Sequence, residues 1–376
     1  MIYLDNSATT RPLTEAAEAV YKMMTDNFGN PSSFHRVGLD ANAAVREARE
    51  AIAASLSAEP EELVFTSGGT EANNLAIFGA AAANRRRGNR IVTTAIEHES
   101  VLEAVKVLEQ QGYEVIRLLP DSTGCITEQQ LTEAITPDTV LVTVMYVNNE
   151  VGSVLPVQAI RKAVNRVGAP ALVHLDCVQA YGKIPVKPKK LGADLVTVTA
   201  HKIHGPKGVG ALYIKKGTRL VPRQYGGAQE QKIRPGTEAA PLIAGFGKAA
   251  ALLPDERETA AAMRALNTYA REQLCAINGV KLNSGDAASD YIINLFVPTF
   301  MTSQTVVQHL SAQYGICLSS GSACAKGKKS HVLTAMRLPD RVIEHSVRIS
   351  FSRFTTTAEI DALVAALRET VEKYPL

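Results

Sequence analysis

The sequence has no tryptophan and only five cysteines in 376 residues. Cys125, Cys177, Cys275, Cys317 and Cys324 are odd in number, scattered and without metal-type C-x-x-C spacing. That excludes a disulfide framework and a structural metal site and leaves each cysteine as a thiol. There is no apolar run of membrane-spanning length, and Met1-Ile2-Tyr3-Leu4-Asp5 does not begin a basic and then apolar leader, so a cytoplasmic chain without membrane association is expected. Neither sign of charge dominates: 40 basic against 37 acidic residues give +3, too little for a nucleic-acid-binding face. The one basic run, Arg85-Arg86-Arg87, is expected to close a helix, where cations suit the dipole.

What is present is enough apolar sequence for a large domain and a smaller one, with no repeats and no low-complexity linker. Short Val/Ile/Leu-rich runs at 63–65, 90–94, 115–118, 140–146, 172–175, 195–198 and 210–214 alternate with helical patterns. In the stretch 100–110, for example, Val101, Leu102, Val105 and Leu108 recur at helical spacing. The alternation predicts a mostly parallel sheet covered by helices. After it come a long Ala-rich helix over 256–277, a strand over 294–296, a helix over 303–314, a strand over 346–350 and a closing helix over 357–373. This separate α+β layer divides the chain into 15–255 and 1–14 with 256–376, the border expected as a continuous helix.

Ligands of open parallel sheets sit at the carboxyl ends of the strands, and here those ends are polar. Thr66-Ser67-Gly68-Gly69-Thr70-Glu71 reads either as a tight strand-to-helix turn or as an anion cradle, with free N–H groups and the Thr70 hydroxyl as donors. His98, entering a helix, is a cap, a core histidine or a proton carrier. Asn148-Asn149 are turn formers or ligands. Asp176 is a helix cap or the carboxylate that keeps a pyridine nitrogen protonated. Lys202, after an apolar strand and before Gly-Pro-Lys-Gly, is a surface charge or a partly desolvated amine suited to a Schiff base. In chain order the set matches what pyridoxal 5'-phosphate requires: phosphate cradle, ring neighbour, Asp, Lys.

The ordered segments Tyr3 to Thr10, Phe28-Gly29-Asn30-Pro31-Ser32-Ser33, Ser67 to Glu71, Val147 to Glu150, His201-Lys202 and Arg234-Pro235-Gly236-Thr237 resemble the class V aminotransferase-like pyridoxal-phosphate enzymes. Within them the chain is similar to the cysteine desulfurases of the NifS and IscS type, over nearly its whole length. The resemblance implies an α/β fold, type I of the pyridoxal-phosphate-dependent transferases, with a mostly parallel seven-stranded sheet in the large domain plus a smaller α+β domain. It implies removal of sulfur from L-cysteine, leaving L-alanine and a persulfide on Cys324 for an acceptor protein. By the same resemblance Lys202 links covalently to the cofactor, His98 stacks on the ring, Asp176 pairs with the pyridine nitrogen and Gln179 meets the phenolic oxygen. Gly69, Thr70, Thr199 and His201 hold the phosphate, and Thr237 reaches the partner's phosphate in a homodimer. Arg348, in Ser346 to Phe351, grips the substrate carboxylate with Asn149 assisting, a task suited to a guanidinium fork; Arg353 is the second candidate.

Ser319-Ser320-Gly321-Ser322-Ala323-Cys324 resembles the segment that bears the sulfur-accepting cysteine, and Lys326, Lys328 and Lys329 favour its thiolate. Two departures stand out: Ala-Lys-Gly-Lys-Lys follows Cys324, and the stretch before Ser330-His331 is shorter than in IscS. The tail is shorter as well, which argues against carrying over the same docking partner. Two rival functions share the scaffold, selenocysteine lyase chemistry and a partner-dependent or silent sulfur-assembly scaffold.

Overall fold

The computed structural model describes residues 1–320 and 329–376. Twelve strands form among them: β1 Ile2–Tyr3, β2 Leu63–Thr66, β3 Arg90–Thr94, β4 Glu114–Leu118, β5 Thr139–Met145, β6 Leu172–Asp176, β7 Leu195–Thr199, β8 Gly210–Ile214, β9 Lys281–Leu282, β10 Ile292–Phe296, β11 Ile316–Cys317 and β12 Ser346–Ser350. Seven of them build one sheet in the order β2-β8-β7-β6-β5-β3-β4. Only β8 runs against its neighbours, β2 and β7. β2, β2's parallel companions β3, β5, β6 and β7 therefore all finish at one edge, and every residue of β5 and β7 is buried, as strands covered on both faces require.

Four helices concern the site and its frame: α1 Thr14–Thr25, α2 Arg36–Leu56, α3 Gly69–Asn84 and α4 Glu99–Gln110. Arg85 follows α3 directly, as the basic run predicted. The C-terminal layer is a three-stranded antiparallel sheet, β12-β10-β9, beside the parallel pair β1-β11. β1 pairs through Ile2–Ile316 and Tyr3–Cys317, and Asp5 bridges to Ser350, so the first residues are built into the C-terminal layer. The continuous helix expected at the border is not formed. One helix, Ala240–Ala251, stops before Pro254, and Asp255 caps the next, Glu256–Cys275, by accepting from Arg257 N at 2.7 Å. A proline cannot donate into a helix and a free carboxylate caps one, which is why the chain breaks there.

Glu230 fastens the segment before Arg234 to the frame. Its carboxylate takes two hydrogen bonds from the Arg49 guanidinium, at 2.5 and 3.2 Å, and one from Phe65 N at 2.8 Å. Both side chains are largely buried, and Glu230, Gln231 and Lys232 run consecutively at positive φ, a conformation that side chains other than glycine resist. The ion pair offsets that strain. Arg49→Met leaves a buried carboxylate without its counter-charge and is expected to lower stability by about 3–5 kcal/mol, read as a lower urea midpoint.

Candidate active site

A cavity of about 320 Å³ opens at the carboxyl edge of the large sheet, within the size range of small-molecule sites, about 300–1,000 Å³. Gly69, Thr70, His98, Asn149, Asp176, Gln179, Thr199, His201, Lys202 and Arg348 all line it. Thr237 does not. It is exposed beside Pro235 and Gly236 in a separate, open hollow, outside its own chain's cavity.

The glycine turn stands where β2 runs into α3. Gly68 has φ 150°, and a Cβ on Gly210, which faces Thr66 and Thr199 in the sheet, would lie 2.9 Å from the Gly68 main chain. Glycine at both places lets the turn settle against β8. Glu71 closes the turn by accepting from Ser67 N at 2.6 Å while Arg234 holds its carboxylate; although burial opposes ionisation, hydrogen bonds from Arg234 and Ser67 keep its pKa below the usual range. Thr199 donates its hydroxyl to Val209 O at 3.1 Å, and the same hydroxyl rotates to donate to an anion in the cavity.

At the end of β6, Asp176 accepts from Val178 N (2.9 Å) and from Asn73 Nδ2 (2.8 Å). His98 is both helix cap and cavity wall: its Nδ1 accepts from Ser100 N at 3.1 Å and meets Ser100 Oγ at 2.8 Å. Burial lowers the His98 pKa, against the pull of Asp176. Of the two asparagines after β5, Asn148 is the turn former, accepting from Glu150 N and Val151 N and donating to Ile96 O. Asn149 is the one left for a ligand, its Oδ1 buried without a partner.

Lys202 follows β7 in a short 3-10 turn and donates to Ser7 O and to Ala8 O, the latter at 2.7 Å. His201 touches Thr9 Oγ1 at 3.3 Å, and burial, reinforced by Lys202, lowers its pKa to about 3. Gln179 donates to Ser7 O (2.8 Å) and accepts from Lys183 Nζ at 3.1 Å. Lys183 lies buried 5.7 Å from the Tyr291 ring, and burial brings its pKa down to about 7. Arg348 reaches in from β12, donating to Asn149 O (2.9 Å) and Asp5 Oδ1 (2.8 Å), with its Nε buried and unpartnered. Arg353 donates to Leu252 O at 2.9 Å and lines a different, smaller recess.

No cysteine among the described residues lines the cavity. Cys177 follows Asp176 but is wholly buried, and burial pushes its thiol well above the ordinary range. Cys324, Lys326 and Lys328 lie outside the described residues. Their segment joins two described ends that meet this site: Ser319 exchanges main-chain hydrogen bonds with Arg348 (3.1 and 2.7 Å), and Lys329, Ser330 and His331 line the cavity. Ser330 donates to the buried Glu150 at 2.5 Å, and His331 Nε2 meets Glu97 O at 2.9 Å. Sequence reasoning missed Asn73, Ser100 and Lys183. Asn73 stands two residues beyond the Thr66 to Glu71 turn, and only the fold brings it to Asp176.

The donor set fits pyridoxal phosphate: an open glycine turn at a helix start, a buried carboxylate, an amine, an amide and a guanidinium line one cavity. Comparison with known proteins agrees. The family model Aminotransferase class-V matches residues 2–363. A cysteine desulfurase of Nostoc sp. is 43% identical over 99% of this chain and 93% of its own length. The cysteine desulfurase IscS of Methanosarcina thermophila is 40% identical over 99% and 92%. Among solved structures, a NifS-like protein superposes with TM-score 0.92 at 34% identity, covering 99% of both chains. A second, described as SspA in complex with cysteine, has TM-score 0.82 and 34% identity over 95% of this chain and 100% of its own. The chain belongs to the class-V aminotransferase family, among its cysteine desulfurases of the NifS and IscS type.

Proposed function

We propose that the chain is a pyridoxal-phosphate-dependent cysteine desulfurase whose cavity takes L-cysteine and whose Cys324 receives the sulfur. One observation carries the assignment of the acceptor: no described cysteine lines the cavity, whereas the segment holding Cys324 is flanked by Lys329 and Ser330, which line it, and by Ser319, whose main chain pairs with that of the lining residue Arg348. When bound, pyridoxal phosphate supplies an electron sink that stabilises negative charge at the substrate Cα. Lys202 anchors it and moves the proton at Cα. Asp176 holds a proton on the ring nitrogen, His98 covers the ring face and handles a proton at the substrate thiol, Gln179 meets the phenolic oxygen, and Asn149 lines the cavity as a further contact for the cofactor. Gly69, Thr70, Thr199 and His201 receive the phosphate.

Arg348 orients the substrate carboxylate with its guanidinium, which lines the cavity, with Asn149 beside it. The Cys324 thiolate attacks the substrate sulfur, and an S–S bond forms as the C–S bond breaks. The electron pair stays on carbon, which takes up a proton, so L-alanine leaves and a persulfide remains on Cys324 for an acceptor protein.

The working form we infer is a homodimer. Tyr21, Met24, Phe28, Phe34 and Leu39, on and between α1 and α2, are all more than half exposed, an apolar face suited to a second copy. Thr237, standing outside its own cavity, is then free to serve the partner's phosphate. The division into 15–255 and 1–14 with 256–376, and a cytoplasmic setting, belong to the same proposal; no helix among the described residues is long and apolar enough to cross a membrane.

With L-cysteine and a thiol reductant, the cofactor-loaded protein is expected to release alanine, and Cys324→Ser to lose that release almost completely. No alanine from loaded native protein would sink the proposal. Arg348→Lys is expected to lower kcat/KM for L-cysteine roughly 10- to 100-fold, since hydrogen bonds to charged groups are worth about 1.5–3 kcal/mol; steady-state kinetics checks it.

A further inference from the structure

We propose that Asn73 and Ser100 are positioning residues that hold His98 as the tautomer with its proton on Nε2, so that the imidazole faces the substrate thiol as a donor. The inference rests on the desulfurase reading for the meaning of His98, but its geometry stands apart from it. Asn73 Nδ2 lies 2.8 Å from Asp176 Oδ2 and 2.8 Å from Ser100 Oγ. Turning the amide over would set its carbonyl oxygen against a carboxylate oxygen, so the nitrogen belongs on that side, and both of its hydrogens are engaged. The cost is visible: Asn73 Oδ1 is buried without a partner.

Ser100 Oγ therefore accepts from Asn73, and its own single hydrogen goes to His98 Nδ1, 2.8 Å away. Ser100 N also donates to Nδ1, at 3.1 Å. Two donors converge on Nδ1, which must present its lone pair; a proton there would oppose the Ser100 N–H. The ring proton is left on Nε2. A second proton on Nδ1 would break both bonds, and burial also disfavours the charged ring.

The charged and titratable groups facing His98 come from several elements: Asp176 on β6, Lys202 after β7, Glu99 on α4, and His331. Of these, Asp176 favours a charged imidazole most, yet the same Asn73 holds the Asp176 carboxylate. Carboxylate and imidazole are thus joined through two neutral side chains, with every hydrogen directed.

The test is nuclear magnetic resonance of the cofactor-loaded protein, deuterated and labelled with 15N-histidine, with the His98 signals assigned by their loss in His98→Asn. The native protein is expected to show a protonated Nε2 and an unprotonated Nδ1. Removing the hydroxyl in Ser100→Ala removes a bond that favours the neutral ring, so the His98 titration midpoint should rise by about one pH unit, tenfold in proton affinity. Ser100→Thr should keep the native midpoint. A proton on Nδ1 in the native protein, or an unmoved midpoint in a folded Ser100→Ala, overturns the proposal. If Ser100→Ala does not fold, the native tautomer decides alone. Because no substrate is present, failure of the desulfurase reading would appear separately, as absent alanine release.

Discussion

The site depends on keeping the Asp176 side chain nearly out of water at the end of an inner strand. A buried carboxylate is tolerated only when its oxygens are hydrogen-bonded, and here one oxygen is held by the Val178 amide and the other by Asn73. Asn73 sits on α3, whose first turn lines the cavity with Gly69 and Thr70, and it also grips Ser100 on α4, beside His98. Satisfying one carboxylate thereby sets the relative placement of β6, α3 and α4. The glycine turn, the buried carboxylate and the imidazole are parts of one hydrogen-bonded unit.

The second half of the site approaches from the C-terminal layer. Arg348 joins it to the large sheet by donating to Asn149 O after β5 and to Asp5 in the first segment. Because the first residues pair with β11 and bridge to β12, Ser7 and Ala8 are carried to Lys202, whose amine donates to both of their carbonyls. Gln179 donates to the same Ser7 carbonyl while Lys183 holds its oxygen. Arg348 and Lys202 thus share one stretch of backbone, a geometry in which small displacements of the C-terminal layer reach both.

Much of this was legible in the sequence because strand ends in a parallel sheet announce themselves: a short β-branched run stops at a polar cluster. All seven large-sheet strands end within one residue of the expected place, β5 stopping one residue short, at Met145. The helix 303–314 and the strand 346–350 match at both ends. What was not legible depends on tertiary approach. The reversed direction of β8 has no periodicity signal. Asn73 and Ser100 are ordinary helix residues until α3 and α4 pack beside β6, and Lys183 looked like any surface lysine. Pro254 and Asp255 together signal the break, whereas the lack of a low-complexity linker pointed to a continuous helix. Thr237 was a site residue by resemblance alone, and its place outside its own cavity has meaning only with a second copy.

The measurement that bears most directly on the account is mass spectrometry of the loaded protein after a single exposure to L-cysteine, with thiols and persulfides trapped before digestion. The account predicts one additional sulfur atom on the peptide carrying Cys324 and none on those carrying Cys125, Cys177, Cys275 or Cys317. Extra sulfur on any of those four, or alanine released with no trapped sulfur on Cys324, would contradict it.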